Sequence, residues 1–446
     1  MNATKYFEDF LSIPRESGKE EKIANYLIEF AKEHNLEYYT DNIHNVIIKK
    51  KSNHNSKETI ILQGHIDMVC NSNGFFDFAN NGIEWFIEDG LYKTNGTTLG
   101  ADNGVGCSII LAILANDDNL IPNIEAVFTV QEETTMLGAQ MLDYSLLKGK
   151  NIISLDGTEE NKIEVSSAGM QQIKVVNNIE YEIKNGEMYE IKISGLTGGH
   201  SGVDIDKNRG NAIKIMGNIL KSLDNYNLVS ISGGVKDNVI PSECVCIICT
   251  NLEINVDNFM CNDYPQLKIE VNKIDKCAKV IKKSDSDKII DFINNLQIEV
   301  LSYIDDFPQT SLNLATISTL KDTIEITISI RSSNVEDEKK WIKEVEKLTK
   351  GMNFILGNSI PYFTYKEKSY IRELLVNKYY DLYGKKVIFE HVHAGLEGGV
   401  FCRKIKDADI NVIAANLYNI HTPNEMAEIK SINRVYNWLV EILKEI

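Results

Sequence analysis

Five stretches of this chain place ionisable side chains where apolar runs stop. The run Thr59-Ile-Ile-Leu-Gln63 leads into Gly64-His65-Ile66-Asp67, so His65 and Asp67 stand two apart and face the same side of an extended backbone. A carboxylate so placed orients the imidazole and decides which ring nitrogen is free, although His-x-Asp also suits a plain surface turn. Asp102 sits among small residues in Thr97-Thr-Leu-Gly-Ala-Asp-Asn-Gly-Val-Gly106, just before a helical stretch, where an N-cap would serve equally well. Glu132 and Glu133 close the run ending at Val130. Adjacent strand residues face opposite ways, so both reach one site only if the strand turns there; otherwise they are a solvated strand end. Asp156 follows Asn151-Ile-Ile-Ser-Leu155, and His421 follows the apolar segment ending at Ala415. Two neutral imidazoles and three carboxylates (His65, His421, Asp102, Glu133, Asp156) bring three negative charges to two Zn²⁺, and a bridging hydroxide would cancel the remaining charge. The donor count suits a two-zinc hydrolase.

The elements around these residues alternate. Residues 1 to about 168 read as helix near Glu20 to Glu33, strand Thr59 to Gln63, helix Gly104 to Ala115 and strand Ile124 to Val130. This pattern predicts an α/β sheet flanked by helices, whose ligand site lies at the carboxyl ends of the strands, where all five donors fall. From 169 to 368 the texture changes to long alternating strands with two amphipathic helices, Arg209 to Ser222 and Val335 to Lys350, which predicts an α+β block of two similar halves. After 369 the α/β texture returns, with an apolar strand Asn411 to Ala415 and a final helix from Ser431. The expected organisation is one discontinuous domain, 1–168 with 369–446, carrying 169–368 as an insertion.

At 446 residues the chain exceeds one ordinary core. Its net charge of -17 repels phosphate backbones and anionic membranes, which argues against nucleic-acid and membrane partners. The apolar run Ile109 to Ala115 falls far short of the ~20 residues of a bilayer span, and the polar start lacks a signal-peptide core, so a cytoplasmic location is expected. Cysteines 70, 107, 244, 246, 249, 261, 277 and 402 lack disulfide or zinc-finger spacing and read as reduced thiols. Cys244 and Cys246 fall on one face of an apolar strand.

Several segments, in order along nearly the whole chain, resemble the aminoacyl-histidine dipeptidases, within a large family of co-catalytic zinc exopeptidases. They are Gly64-His-Ile-Asp-Met-Val69, Thr98-Leu-Gly-Ala-Asp-Asn-Gly104, Glu132-Glu133-x-x-Met136-x-Gly138-Ala139, Gly198-Gly-His-Ser-Gly202, His393-Ala-Gly-Leu-Glu397-x-Gly399 and His421-x-Pro423-x-Glu425-Met426. The resemblance implies a mixed-sheet catalytic domain with an inserted lid. It makes Asp102 the carboxylate shared by two divalent ions, with His65 and Asp156 on one and Glu133 and His421 on the other. Zinc is the expected ion, with manganese and cobalt as alternatives. Glu132 becomes the general base and Asp67 the orienter of His65, and the Asp102–Asn103 peptide is expected cis. His200, Asn238 and Arg331 are implied to bind substrate, the planar fork of arginine suiting a carboxylate. Glu397 is implied to read a free amino terminus, unless it is simply an acid favoured in a helix first turn. The expected activity is cleavage of small unblocked peptides, Xaa-His dipeptides foremost. A tripeptide aminopeptidase, an N-acyl-amino-acid hydrolase and an inactive peptide-binding protein are the alternatives, and a homodimer through the lid is left open. Gly157 and Ala414-Ala415 depart from the family pattern beside the site and leave the pocket's side-chain preference undecided.

Overall fold

The computed structural model describes the chain except for residues 1–2, 54–55, 118–119, 255–262, 278 and 305 and the side chains of 275–277. Two compact units result. The first comprises Met1–Ser166, Phe363–His391 and Glu397–Ile446, and the second Ser167–Tyr362 and Val392–Leu396.

In the first unit, eight strands form one sheet: β1 (Glu37–Thr40), β2 (Val46–Lys50), β3 (Thr59–His65), β4 (Asn123–Thr129), β5 (Asn151–Ser154), β6 (Lys162–Ser167), β7 (Ile388–Val392) and β8 (Asp409–Val412). Their spatial order is β1-β2-β4-β3-β5-β8-β6-β7. The four central strands, β4, β3, β5 and β8, run parallel. Parallel strands are covered on both faces and so read as unbroken apolar runs. Accordingly β3 and β4 are buried from their second residue to their last.

Five helices of this unit matter for the site: α1 (Ala3–Leu11), α2 (Ala101–Leu114), α3 (Tyr370–Tyr383), α4 (Glu397–Lys404) and α5 (Ile429–Leu443). α2 is apolar all round, as befits a helix inside the core, and every one of its residues except Asp102 is buried. Regular helix starts only at Gly104, because Asp102 (ψ 114°) and Asn103 (ψ 30°) leave helical geometry. α1 and α5 pack around α2. Trp438 of α5 is fully buried, and its indole N–H donates to Leu375 O of α3 at 3.0 Å.

A four-stranded sheet that the sequence pattern does not announce joins Trp85–Glu88 and Leu91–Thr94 to Leu417–Tyr418 and Met426–Glu428. Strands this short show too little of the two-residue period to be read from sequence. The turn between the last two of them carries His421 and Glu425.

The second unit is built on an antiparallel sheet in the order Lys268–Cys277, Gly186–Ser194, Cys244–Thr250, Tyr226–Gly233, Phe307–Thr319, Thr323–Ser332, Gly169–Asn178 and Asn353–Ile360, with Glu299–Ile304 added on Phe307–Thr319, and has two short strand pairs beside it, one joining Gly199–His200 to Val239–Ile240. Gly169–Asn178 is the first strand of this unit in the chain, yet it pairs between Thr323–Ser332 and Asn353–Ile360. One sheet thus runs through the unit, and its first strand pairs between two strands that come much later in the chain. Beside helices Ala212–Ser222 and Val335–Leu348 there is a third, Lys283–Asn295. Cys244 and Cys246 are buried in this unit's core. Among the described residues Cys70, Cys107, Cys244, Cys246 and Cys402 are free thiols, while Cys261 and the Cys277 side chain lie outside the described residues. Among the described residues no helix is long and apolar enough to cross a membrane.

Truncating Trp438 to Ala removes a fully buried indole that ties α5 to α3, at a cost of about 3–5 kcal/mol. Chemical denaturation of the variant is expected to show this loss with little change in the m-value.

Candidate functional site

His65 is the last residue of β3, Glu132 and Glu133 follow β4, Asp156 follows β5, and the segment leading to His421 follows β8. Parallel strands deliver these side chains to one edge, and Asp102 meets them from the start of α2. His65 Nε2 lies 3.1 Å from Asp102 Oδ1 and 3.2 Å from Asp156 Oδ1. His421 Nε2 lies 3.2 Å from Asp102 Oδ2 and 3.0 Å from Glu133 Oε1. Each oxygen of Asp102 thus faces its own imidazole–carboxylate pair. Two donors bound at 2.0–2.1 Å to one tetrahedral ion stand about 3.3 Å apart, which these imidazole–carboxylate spacings match; among the described residues His65, Asp102 and Glu133 bring three donor atoms within 4.8 Å of one another. The Asp102–Asn103 peptide is cis, as the resemblance implied.

Packing so many carboxylates together moves their proton affinities. Burial and the neighbouring acids Asp156, Glu133 and Glu397 push the Glu132 carboxyl well above its usual range, against the pull of His65. Burial likewise raises Asp156 to about 6 and Glu397 to about 8. Asp102 goes the other way: burial opposes its ionisation, but the two imidazoles outweigh it and hold it below the usual range. Burial works against a charge on His421 as well, yet Asp102 and Glu133 raise it to about 10. His65 is raised well above its ordinary value by Asp156 and Asp102 despite complete burial.

Asp67 is fully buried and does more than the sequence suggested. Its Oδ1 is 3.4 Å from His65 Nδ1, which also lies 3.2 Å from the Asp67 carbonyl. The same carboxylate accepts from the backbone N–H of Glu132 at 3.0 Å, that of Glu133 at 3.3 Å and the Ser17 hydroxyl at 2.7 Å. It therefore anchors the turn, entered through Gln131 at φ 53°, that lets Glu132 and Glu133 leave the strand on one side. Asn103 is buried under the site and donates to Leu155 O at 2.7 Å. A Cβ at Gly64 would stand 2.5 Å from its Oδ1, so only glycine fits before His65. Glu397 at the start of α4 is 1 % exposed and accepts from Gln63 at 2.7 Å and Thr129 at 2.5 Å, which ties it to β3 and β4.

Two residues to which the sequence reading gave no role stand out here. The buried Arg15 guanidinium donates to the carbonyls of Asp67 at 3.0 Å, Ile66 at 3.3 Å and Gly100. Glu425 accepts from four consecutive backbone N–H groups, those of Leu99 to Asp102, at 2.8 to 3.2 Å. Its place four residues after His421 was the available signal; a lone arginine near the start of the chain offered none.

The other candidates, His200, Asn238 and Arg331, belong to the second unit and cluster there. Ser201 N–H donates to Asn238 O at 2.9 Å, and Arg331 Nε to Ser201 Oγ at 3.4 Å. His200 Nδ1 accepts from Gly202 N–H at 3.2 Å and Val203 N–H at 3.4 Å, which leaves the ring proton on Nε2. That Nε2 lies 3.5 Å from Arg331 Nη2. Two donors facing each other cannot satisfy one another, and both are free to share an outside acceptor. Burial and the nearby guanidinium lower His200 to about 4, which keeps it neutral. Arg331 is 3 % exposed, and among the described residues no carboxylate pairs with it. In the same unit Ser311 bonds His393 Nε2 at 2.7 Å.

Residues 191–257 match the family model described as a peptidase dimerisation domain. Over 99 % of its length the chain is 29 % identical to the cytosol non-specific dipeptidase of Escherichia coli (strain K12), covering 96 % of that protein. The whole chain superposes on 96 % of the aminoacylhistidine dipeptidase of Vibrio alginolyticus with a TM-score of 0.86 and 27 % identity. It also superposes on 98 % of the aminopeptidase PepT of Bacillus cereus, at a TM-score of 0.60 and 16 % identity, a likeness of fold.

The charge state of the donors gives a direct test. A folded-state value near 10 for His421, against 6.5 unfolded, adds stability that is complete below about pH 6.5 and is lost as the pH rises through about 10. Denaturation of chelator-treated protein is expected to show stability falling across that window, and His421→Ala is expected to flatten the slope.

Proposed function

We propose that this chain is a metallo-dipeptidase of the M20 peptidase family, whose two ions would be held by His65, Asp102 and Asp156 on one side and by His421, Asp102 and Glu133 on the other. The observation that carries the reading is the division of Asp102, one oxygen to each imidazole–carboxylate pair. Such a pair of ions would supply Lewis acidity for the hydrolysis of a peptide bond and would lower the pKa of the attacking water. Zinc is the expected ion, since imidazole and carboxylate donors suit it, although they also suit manganese and cobalt.

Glu132 takes the proton of the attacking water and returns it to the leaving amine. Its upward-shifted carboxyl is suited to both halves of that transfer, because a base works best with a pKa near the working pH. Asp67 keeps the His65 ring and the Glu132 turn in register. Arg331, with the neutral Nε2–H of His200 beside it and Asn238 nearby, is the receiver proposed for the carboxylate of the peptide. Glu397, enclosed by Gln63 and Thr129 and neutral below about pH 8, supports β3 and β4 under the site better than it would read a free amine.

Dipeptides with a free amino group are the proposed substrates, Xaa-His among them. The E. coli relative carries the name of a non-specific dipeptidase and the Vibrio relative that of an aminoacylhistidine dipeptidase. The match of residues 191–257 to a dimerisation domain supports a homodimer formed through the second unit. The cytosolic name of the E. coli relative supports action in the cytoplasm.

Glu132→Ala is expected to lower kcat by about 10²–10⁴-fold, the span of a general base, with both ions still bound on metal analysis. Substantial residual turnover would remove Glu132 from the mechanism. A substrate panel of β-alanyl-histidine and other dipeptides, tripeptides and N-acetyl amino acids is expected to favour the unblocked dipeptides. A preference for blocked amines would overturn that assignment.

A further inference from the structure

We infer that Glu425 is a positioning residue for the reaction, an internal anion that sets the place of Asp102 through its backbone. The inference rests on the reading of Asp102 as the carboxylate shared by both ions.

Glu425 is 2 % exposed, and its two oxygens divide the work. Oε2 accepts from Leu99 N–H at 2.8 Å and Gly100 N–H at 2.9 Å, and Oε1 from Ala101 N–H at 2.8 Å and Asp102 N–H at 3.2 Å. The opposite side of the loop meets a cation, since Arg15 donates to the Gly100 carbonyl. Gly100 is therefore held by its N–H to a buried anion and by its C=O to a buried cation. It sits at φ 72°, and a Cβ there would overlap the Arg15 guanidinium and stand 2.8 Å from Met68 Sδ, so no other residue type fits.

The consequence for chemistry comes from where Glu425 stands. It lies four residues after His421 in the same turn, so one side chain fixes the His421 segment to the loop that carries Asp102. A carboxylate shared between two ions must keep both oxygens aimed, and the distances to the two imidazoles differ by only 0.1 Å, 3.1 against 3.2 Å. A small rotation of this loop would spoil one set in favour of the other. Outer partners of metal ligands act in this way and, when removed, cost about 10–100-fold in metal affinity or activity.

Glu425→Gln keeps the shape but turns one acceptor into a donor, so two of the four N–H groups lose their partner. Chelator-competition titration with zinc, steady-state kinetics on a dipeptide and thermal unfolding are measured on the full-length enzyme. The expected result is zinc affinity and kcat each lower by about 10–100-fold, KM little changed and kcat partly recovered in excess zinc. A merely structural role would lower the melting temperature yet leave zinc affinity and kcat per folded molecule at the wild-type level, and that result overturns the inference. Glu425→Asp, which retracts the charge by one methylene, serves if the Gln variant does not fold. Weakened zinc binding in it supports the inference, and wild-type binding with wild-type kcat overturns it. Wild-type enzyme that bound no zinc or cleaved no dipeptide would instead overturn the preceding functional reading.

Discussion

Repulsion among buried and half-buried carboxylates is the constraint around which the first unit is arranged, because Asp67, Asp102, Glu132, Glu133, Asp156, Glu397 and Glu425 converge where the parallel strands end. Each is relieved differently. Asp102 and Glu133 lean on imidazoles, Asp67 and Glu425 on backbone N–H groups, and Glu397 on side-chain donors with its proton retained at neutral pH. Glu132 has the least relief and shifts upward in consequence. Isolated buried carboxylates would each cost several kcal/mol, so the folded state depends on this distribution of partners. His65 and His421, whose proton affinities the surrounding carboxylates raise, hold Asp102, Asp156 and Glu133 together.

The sheet explains why this concentration of charge falls at one edge. Side chains emerging from β3, β4, β5 and β8 leave in the same direction because those strands are parallel, and α2, buried at all its other residues, turns only Asp102 toward them. Strands covered on both faces leave polar residues one place to go, which is beyond their ends.

Much of this was legible in the chain because the central strands are long, apolar and end abruptly. The runs closing at Gln63, Val130 and Leu155 marked where His65, Glu133 and Asp156 would emerge, and the small residues around Asp102 marked a turn into a helix. The short strands flanking His421 escaped notice because two or three residues show no period. Asp67 was read as a partner of His65 alone, since nothing local reveals that its carboxylate also receives the amides of Glu132 and Glu133, 65 and 66 residues away. The partners of Arg15 and Glu425 are backbone groups, which leave no trace in residue identity, so Arg15 was hidden and only the nearness of Glu425 to His421 hinted at its place. In the inserted unit the alternation of strands was plain, whereas the placing of Gly169–Asn178 between two strands that come far later in the chain is a matter of pairing, not of pattern.

The sequence separation of 326 between Leu99 and Glu425 also bears on timing. During synthesis the loop that carries Asp102 emerges long before the segment that supplies His421 and the carboxylate beneath that loop. Until then the amides of Leu99 to Asp102 lack their acceptor and one of the two donor sets lacks its imidazole. A chain made only as far as residue 420 thus carries the Asp102 loop without the imidazole and the carboxylate that meet it in the folded protein.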